Sequence, residues 1–410
     1  MALNRRSFFA GLLASPVAAA YQEAAQSAPP MRIRRIETVY WKSREDAPFW
    51  PHWTWVKIDA DAGVSGIGET YPRNPNEAAA IHGAAGQLIG HDPRDIERIW
   101  ADLYRTFDFQ VTGGAEMRAL SAIDLALWDL LGKALGQPVY RLLGGKSNPE
   151  VRLYNTCFPH KYDFTKEPDK IMRELIDRYG IKAIKIWPFD RAALRNQHEY
   201  ITGADLEEGL YPVRLLRDKF ANEIEILMEF HSGWDLTSAI RIAKALEPYR
   251  PMWLEDMLLP GNFEQYRQLA EATSIPLTIS ERLAGRMQFL RLLESRAARY
   301  VMFDVTWCGG LSEARKIANM AEAFELPVAP HTAGGPLLFY ASAHLATALT
   351  NLAIQESCQV FYESTWPTML SNPLVPKDGA VRVPELPGFG MEIKPEVWTH
   401  PAAVTRATTL

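Results

Sequence analysis

Apolar and polar positions alternate along Ile33 to Tyr40, and Trp53 to Ile58 is rich in β-branched and aromatic residues. With turn signals at Gly63, Gly66 and Gly68, residues 31–72 read as antiparallel strands. From Pro75 the period becomes helical. Over Glu116 to Leu135, Leu120, Ile123, Leu127, Leu130 and Leu131 recur at helical spacing until Gly136 stops the run. Strands followed by helices predict a small α+β domain over 31–150.

From Val151 the pattern changes to short apolar runs alternating with amphipathic stretches. The strands predicted are Arg152–Thr156, Ala183–Trp187, Glu225–Phe230, Trp253–Glu255, Leu277–Ser280, Tyr300–Asp304, Val328–Pro330 and Leu352–Gln355. Repeated βα units imply right-handed crossovers and a parallel sheet. Eight of them over 151–360 fit an α/β fold of the (β/α)₈ barrel type better than an open doubly wound sheet. No strand is followed by a GxGxxG or GxxxxGK loop that would cradle a nucleotide. The tail, residues 361–410, is proline-rich, lacks the βα rhythm and is expected to pack back on the first domain.

The first 30 residues stand apart. Arg5-Arg6 precedes Phe8-Phe9, an apolar run follows, and Ala18-Ala19-Ala20 closes it. That order reads as an export signal of the twin-arginine type and predicts a periplasmic or exported protein. Residues 21–30 read as a connector. No apolar run reaches the length of about 18 residues that a membrane span needs. Across the 410 residues, 44 Lys and Arg face 49 Asp and Glu, a net charge of -5, so no basic excess exists to neutralise nucleic-acid phosphates. Three cysteines, Cys157, Cys308 and Cys358, exclude a disulfide scaffold, and without a Cys/His cluster a structural zinc site is not expected. Cys308 and Cys358 read as buried inert thiols.

Barrel enzymes carry reactive groups at the carboxyl ends of their strands. Found there are Lys185, Glu229 with His231, Glu255, Glu281, Asp304, His331 and Glu356. From Glu229 onward the intervals are 26, 26, 23, 27 and 25 residues. Each is about one βα unit, so each group is expected on a successive strand at one mouth. Glu229, Glu255 and Glu281 suit a hard divalent cation such as Mg²⁺, which takes oxygen ligands and keeps open positions. Without a cation, converging carboxylates would repel and raise one another's pKa. Glu229 and His231, two apart on a strand, would share a face and put the histidine beside the metal. Asp304 and His331 end consecutive strands, which lets the carboxylate orient the imidazole as a general base. Lys185 lies inside an apolar strand and needs an anionic partner, either the metal carboxylates or a substrate carboxylate. Trp187 shares its face. Glu356 could hydrogen-bond the reacting group or complete a charge network. Arg191, Arg195 and Lys161 could clamp an anion, though they read more readily as solvated loop charges.

The chain resembles the mandelate racemase/muconate lactonizing branch of the enolase superfamily from Met31 to about Trp398. The matching segments are Gly66-Ile67-Gly68-Glu69, Arg118 to Asp129, Leu142-Leu143-Gly144-Gly145, Trp253-Leu254-Glu255-Asp256, Ser280-Glu281-Arg282, Asp304 with Gly309-Gly310, and Ala329-Pro330-His331. The resemblance implies a modified (β/α)₈ TIM barrel under an α+β capping domain, in a homo-oligomer. It also implies metal-assisted abstraction of the proton α to a carboxylate, giving an enediolate held by Mg²⁺. Where family members carry Lys-x-Lys on the second strand, this chain reads Lys185-Ile186-Trp187. That departure, and Asp304 where a cycloisomerase would have lysine, point to galactonate-type acid-sugar dehydratases. The family's first ligand is commonly Asp, whereas Glu229 is one methylene longer.

By that resemblance Glu229, Glu255 and Glu281 would hold one Mg²⁺, His331 oriented by Asp304 would remove the α-proton, and His231 would protonate the departing β-hydroxyl. Lys185 would neutralise the substrate carboxylate and Glu356 would assist by hydrogen bonding. The product would be a 2-keto-3-deoxy acid. Racemisation or epimerisation, with Lys185 or His231 opposite His331, and a non-catalytic sugar-acid binder remain open. Specificity is expected from the loop Trp41 to Trp55 and the loop after Trp187.

Overall fold

The computed structural model describes residues 31–41, 52–71, 75–107 and 113–409. The predicted export signal and connector (1–30) and most of the predicted specificity loop (42–51) lie outside the described residues.

The capping domain starts with three strands, β1 (Ile33–Trp41), β2 (Thr54–Ala60) and β3 (Ser65–Thr70). Three helices follow: α1 (Pro75–Gly83), α2 (Ile96–Phe107) and α3 (Ala115–Ala134). The apolar stripe read in the sequence is the buried face of α3, where Leu120, Ile123, Leu127 and Leu130 are all buried. This helix lies directly on β3 because Gly66 and Gly68 leave room for it: a β-carbon at Gly68 would sit 1.8 Å from the Ala122 carbonyl oxygen.

The barrel strands are β4 (Val151–Thr156), β5 (Ala183–Ile186), β6 (Glu225–Glu229), β7 (Trp253–Glu255), β8 (Leu277–Ile279), β9 (Tyr300–Phe303), β10 (Val328–Pro330) and β11 (Gln355–Ser357). Their pairing is parallel throughout, in the order β10-β9-β8-β7-β6-β5-β4-β11. The helices between them are α4 (Pro168–Tyr179), α5 (Gly203–Phe220), α6 (Leu236–Leu246), α7 (Phe263–Ala272), α8 (Arg286–Ser295), α9 (Gly310–Ala323) and α10 (Pro336–Ala348). The arrangement is the modified (β/α)₈ barrel with a cap.

The last strand departs from expectation. It was expected over Leu352–Gln355, but that segment meets its two neighbours in turn. Leu352 makes an isolated parallel bridge to Val328 of β10, and only Gln355–Ser357 pairs with β4. Glu356 therefore sits within β11 rather than past its end. The paired residues are polar while the apolar ones, Leu352 to Ile354, precede them, so the hydrophobic pattern displaced the prediction. A two-residue strand from the tail, β12 (Ala380–Val381), runs antiparallel to β4. The final strand, β13 (Ala403–Thr409), leaves the barrel side and pairs antiparallel with β1, so both ends of the described chain build the cap sheet.

His344 of α10 is fully buried at the junction between barrel and tail. Its Nδ1 accepts from the Tyr140 amide at 3.1 Å, which leaves the Nε2 proton for the Phe389 carbonyl, also at 3.1 Å. Burial lowers its pKa to about 4. The unfolded chain binds this proton near pH 6.5 and the folded chain does not, so the contribution to stability is present above pH 6.5 and lost as pH falls towards 4. His344→Gln removes the titrating group. Denaturant unfolding at a series of pH values should show that the variant loses less stability than the parent across that window, by on the order of 3 kcal/mol. Parallel curves would contradict this.

Candidate active site

The register of β6 and β7 brings Glu229 opposite Glu255, each the last residue of its strand. Glu281 follows β8 by two residues. One carboxylate oxygen from each of the three lies within 4.8 Å of the other two, and all three residues are buried. Lys185 is inside β5 and points into the same space, with Nζ 2.6 Å from Glu255, 2.9 Å from Glu356 and 3.5 Å from Glu229. The partners of this lysine are thus the cluster's own carboxylates. Burial and the neighbouring Glu229 charge push the Glu255 carboxyl up. Burial disfavours the Lys185 charge, but Glu255 and Glu356 outweigh it and hold the ammonium well above its ordinary pKa.

His331 is set one residue past β10. Its Nδ1 is 2.7 Å from Asp304, and its Nε2 is 2.8 Å from Glu281 and 3.6 Å from Glu356. Burial opposes its charge, yet Glu281, Glu356 and Asp304 together hold it well above 6.5. Glu356 ties the strand ends together, since it accepts from Thr156 on one side and from the Thr332 amide at 2.6 Å on the other.

His231 reaches the mouth by a different route from the one expected. β6 ends at Glu229, and His231 adopts a left-handed backbone with φ 47°, so the two do not share a strand face. Instead Oε1 of Glu229 accepts from the Phe230 and His231 amides at 2.9 and 2.6 Å and turns the chain over the carboxylate. The ring is held by Asp190, whose Oδ2 lies 2.6 Å from Nδ1. Trp187 stands edge-on to the ring at 5.6 Å. Burial lowers the imidazole's proton affinity, but Glu229 and Asp190 more than reverse this and raise it to about 9. The tryptophan in place of a second strand-two lysine therefore packs against this histidine.

Asp190 did not emerge from the spacing argument. It starts the short helix Asp190–Arg195, within the loop flagged after Trp187, and no chemical periodicity marks it. Asp256 was also missed. It is buried, accepts from Ser280 Oγ at 2.6 Å, and its carboxyl is pushed up by burial and by Glu229 and Glu281. Of the loop charges, Lys161 pairs with Glu174, Arg195 pairs with Asp205 and Glu208, and Arg191 is exposed. Cys308 and Cys358 are buried, and burial drives both thiols well above 9. A cavity of about 430 Å³ opens from Glu281 and Arg282 of the barrel to Tyr71 and Arg118 of the cap, with Trp307 on its wall.

Residues 169–397 match the enolase C-terminal domain-like family, and residues 49–144 match the mandelate racemase/muconate lactonizing enzyme N-terminal domain. A D-galactonate dehydratase of Ralstonia nicotianae is 33% identical over 353 residues, which cover 84% of this chain and 89% of that protein. Another D-galactonate dehydratase, of Pectobacterium atrosepticum, is 32% identical over 357 residues, 85% of this chain and 90% of its own. An enolase of the mandelate racemase subgroup from Agrobacterium tumefaciens superposes with a TM-score of 0.85 at 38% identity, covering 92% of this chain and 99% of that one. A mandelate racemase/muconate lactonizing enzyme-like protein from Rubrobacter xylanophilus gives 0.81 at 32% identity, with 90% and 96% covered. The chain belongs to the mandelate racemase/muconate lactonizing enzyme family of the enolase superfamily, and it is an enzyme of that family.

Proposed function

We propose that this enzyme is a Mg²⁺-dependent acid-sugar dehydratase acting on galactonate-type sugar acids. One observation carries the reading. Two imidazoles, each anchored through Nδ1 on its own carboxylate, flank a single buried carboxylate trio, the His331 ring through Nε2 to Glu281 and the His231 residue through its backbone amide to Glu229. β-Elimination of water needs such a pair: a base for the α-proton and an acid for the departing hydroxyl.

The donor set fits a hard dication. Glu229, Glu255 and Glu281 offer only oxygens, within 4.8 Å of one another and out of bulk water. Mg²⁺ held there would stabilise negative charge developing on the substrate carboxylate. With Glu281 drawn to the cation, His331, kept in orientation by Asp304, would be released from that ion pair and, as the neutral imidazole, would take the α-proton on Nε2 as the C–H bond breaks. His231 gives its proton to the β-hydroxyl as the C–O bond breaks, releasing water. The enol that remains tautomerises to the 2-keto-3-deoxy acid. Lys185, bonded to Glu255 and Glu356, is engaged in balancing charge, which argues against its use as a second racemising base. The relatives named D-galactonate dehydratase support the same class of reaction.

Incubation of the purified enzyme and Mg²⁺ with acid sugars in D₂O should yield 2-keto-3-deoxy acids. His331→Asn or His231→Asn should each lower turnover about 10²–10⁴-fold. A product that keeps every oxygen and carries one new deuterium at the α-carbon would identify an epimerase, and acid sugar recovered with neither product nor deuterium would identify a binder. Either outcome overturns the dehydratase reading.

The charge balance can be tested separately. Lys185→Met leaves the buried carboxylates without their ammonium. Denaturant unfolding in chelator should then show a loss of about 3–5 kcal/mol. Mg²⁺ should restore more stability to the variant than it adds to the parent. Equal stability of the two proteins in chelator would contradict the assignment.

A further inference from the structure

The motif Gly66-Ile67-Gly68-Glu69 was noted in the sequence, and the reaction described above makes no use of it. On β3 its glycines face α3 and admit that helix, while Glu69 projects to the opposite face, towards the barrel. Glu69 is fully buried. Its Oε2 accepts from Trp55 Nε1 at 2.9 Å and from the Leu337 amide at 3.0 Å, and its Oε1 accepts from the Leu338 amide at 3.2 Å. The last two amides belong to the first turn of α10, whose N–H groups have no partner within the helix. A carboxylate from the cap thus closes the start of the barrel helix that follows the His331 loop.

The fit is specific. Gly335, the residue before α10, has φ −78° and ψ 174°, a conformation open to any residue. Glycine is required there by space alone, because a β-carbon would lie 2.4 Å from the Glu69 carboxylate. Two residues along, Tyr71 packs on Gly334, with the ring 3.3 Å from where a β-carbon would be. The Tyr71 carbonyl accepts from Trp307 Nε1, and the Trp307 ring lies 5.2 Å from the His331 ring. One end of β3 therefore grips His331 from both flanks, through Glu69 to the loop that leaves it and through Tyr71 and Trp307 to its ring. A second cap acid repeats the device one strand earlier. Asp124 of α3 accepts from the Ser312 amide at 3.0 Å in the first turn of α9, where a β-carbon on Gly310 would meet it at 2.4 Å.

We infer that Glu69 is a positioning residue: it fixes the segment from His331 to Leu338 and thereby the placement of the His331 imidazole against the metal carboxylates. The inference rests on the dehydratase reading for the consequence in turnover, but the tether itself is a property of the folded chain. Glutamine at position 69 has one acceptor oxygen, so its NH₂ would face an amide donor. Glu69→Gln should lower kcat about 10–100-fold, the range typical of losing an outer partner of a metal or catalytic group. KM for the acid sugar and the Mg²⁺ dissociation constant should stay within about twofold, because the ligands and pocket are built elsewhere.

The decisive experiment is a double-mutant cycle of Glu69→Ala and Gly335→Ala in the full chain, read by kcat and by amide hydrogen exchange of peptides covering 332–338. Gly335→Ala alone should lower kcat and raise exchange of those amides at least about tenfold, leaving peptides over β6 and β7 protected. In the Glu69→Ala background the same change should cost almost nothing, since the carboxylate it collides with is gone. Additive effects, or unchanged exchange at 332–338 in Glu69→Ala and Glu69→Gln, would overturn the tether. Loosened amides with unchanged kcat would overturn the positioning role. If the parent enzyme turns over no acid sugar while the exchange data follow the cycle, the dehydratase reading fails and the tether stands.

Discussion

Placing three carboxylates side by side in the dry mouth of a parallel barrel is the constraint to which the surrounding structure answers. Each ionised acid taken out of water costs several kcal/mol unless charge and hydrogen bonds compensate it. The compensation is visible on every side. Lys185 enters from β5, Trp253 donates to Glu255, the Phe230 and His231 amides fold over Glu229, and His331 meets Glu281. The carboxylates beside them favour the protonated form of both histidines, so in the proposed reaction the groups that offset the cluster's charge are also the ones that move protons. Function and stability draw on the same electrostatic arrangement.

Much of this was legible in the sequence, because the barrel imposes a ruler. A βα unit of about 25 residues puts one side chain per strand at the mouth, and Glu229, Glu255, Glu281, Asp304 and His331 fall on that spacing. What the ruler cannot measure is a residue in an irregular loop. Asp190 anchors His231 from such a loop, and the left-handed turn at His231 follows from two backbone amides folding onto Glu229. Apolar patterning also misplaced the last strand, since Gln355-Glu356-Ser357 pairs through its backbone while its side chains are polar. Long-range contacts between cap and barrel were not readable at all: Glu69 and Leu338 are 269 residues apart and joined by one hydrogen bond.

The cap is more than a lid on the mouth. Its sheet is completed by β13 from the far end of the chain, and its buried acids Glu69 and Asp124 close the starts of two consecutive barrel helices. Those helices follow the strands that present His331 and Asp304. In the positioning we infer, a domain that contributes none of the three carboxylates steadies the Asp304–His331 pair, and the glycines at 310 and 335 are the space it needs.

The central claim is that the carboxylates of Glu229, Glu255 and Glu281 form one divalent-cation site. Anomalous diffraction from a crystal soaked in Mn²⁺, a hard cation that takes the same oxygen ligands as Mg²⁺, tests it most directly. The account requires a single strong peak bonded to oxygens of all three residues. Density elsewhere, or a peak that any one of the three does not touch, would contradict it.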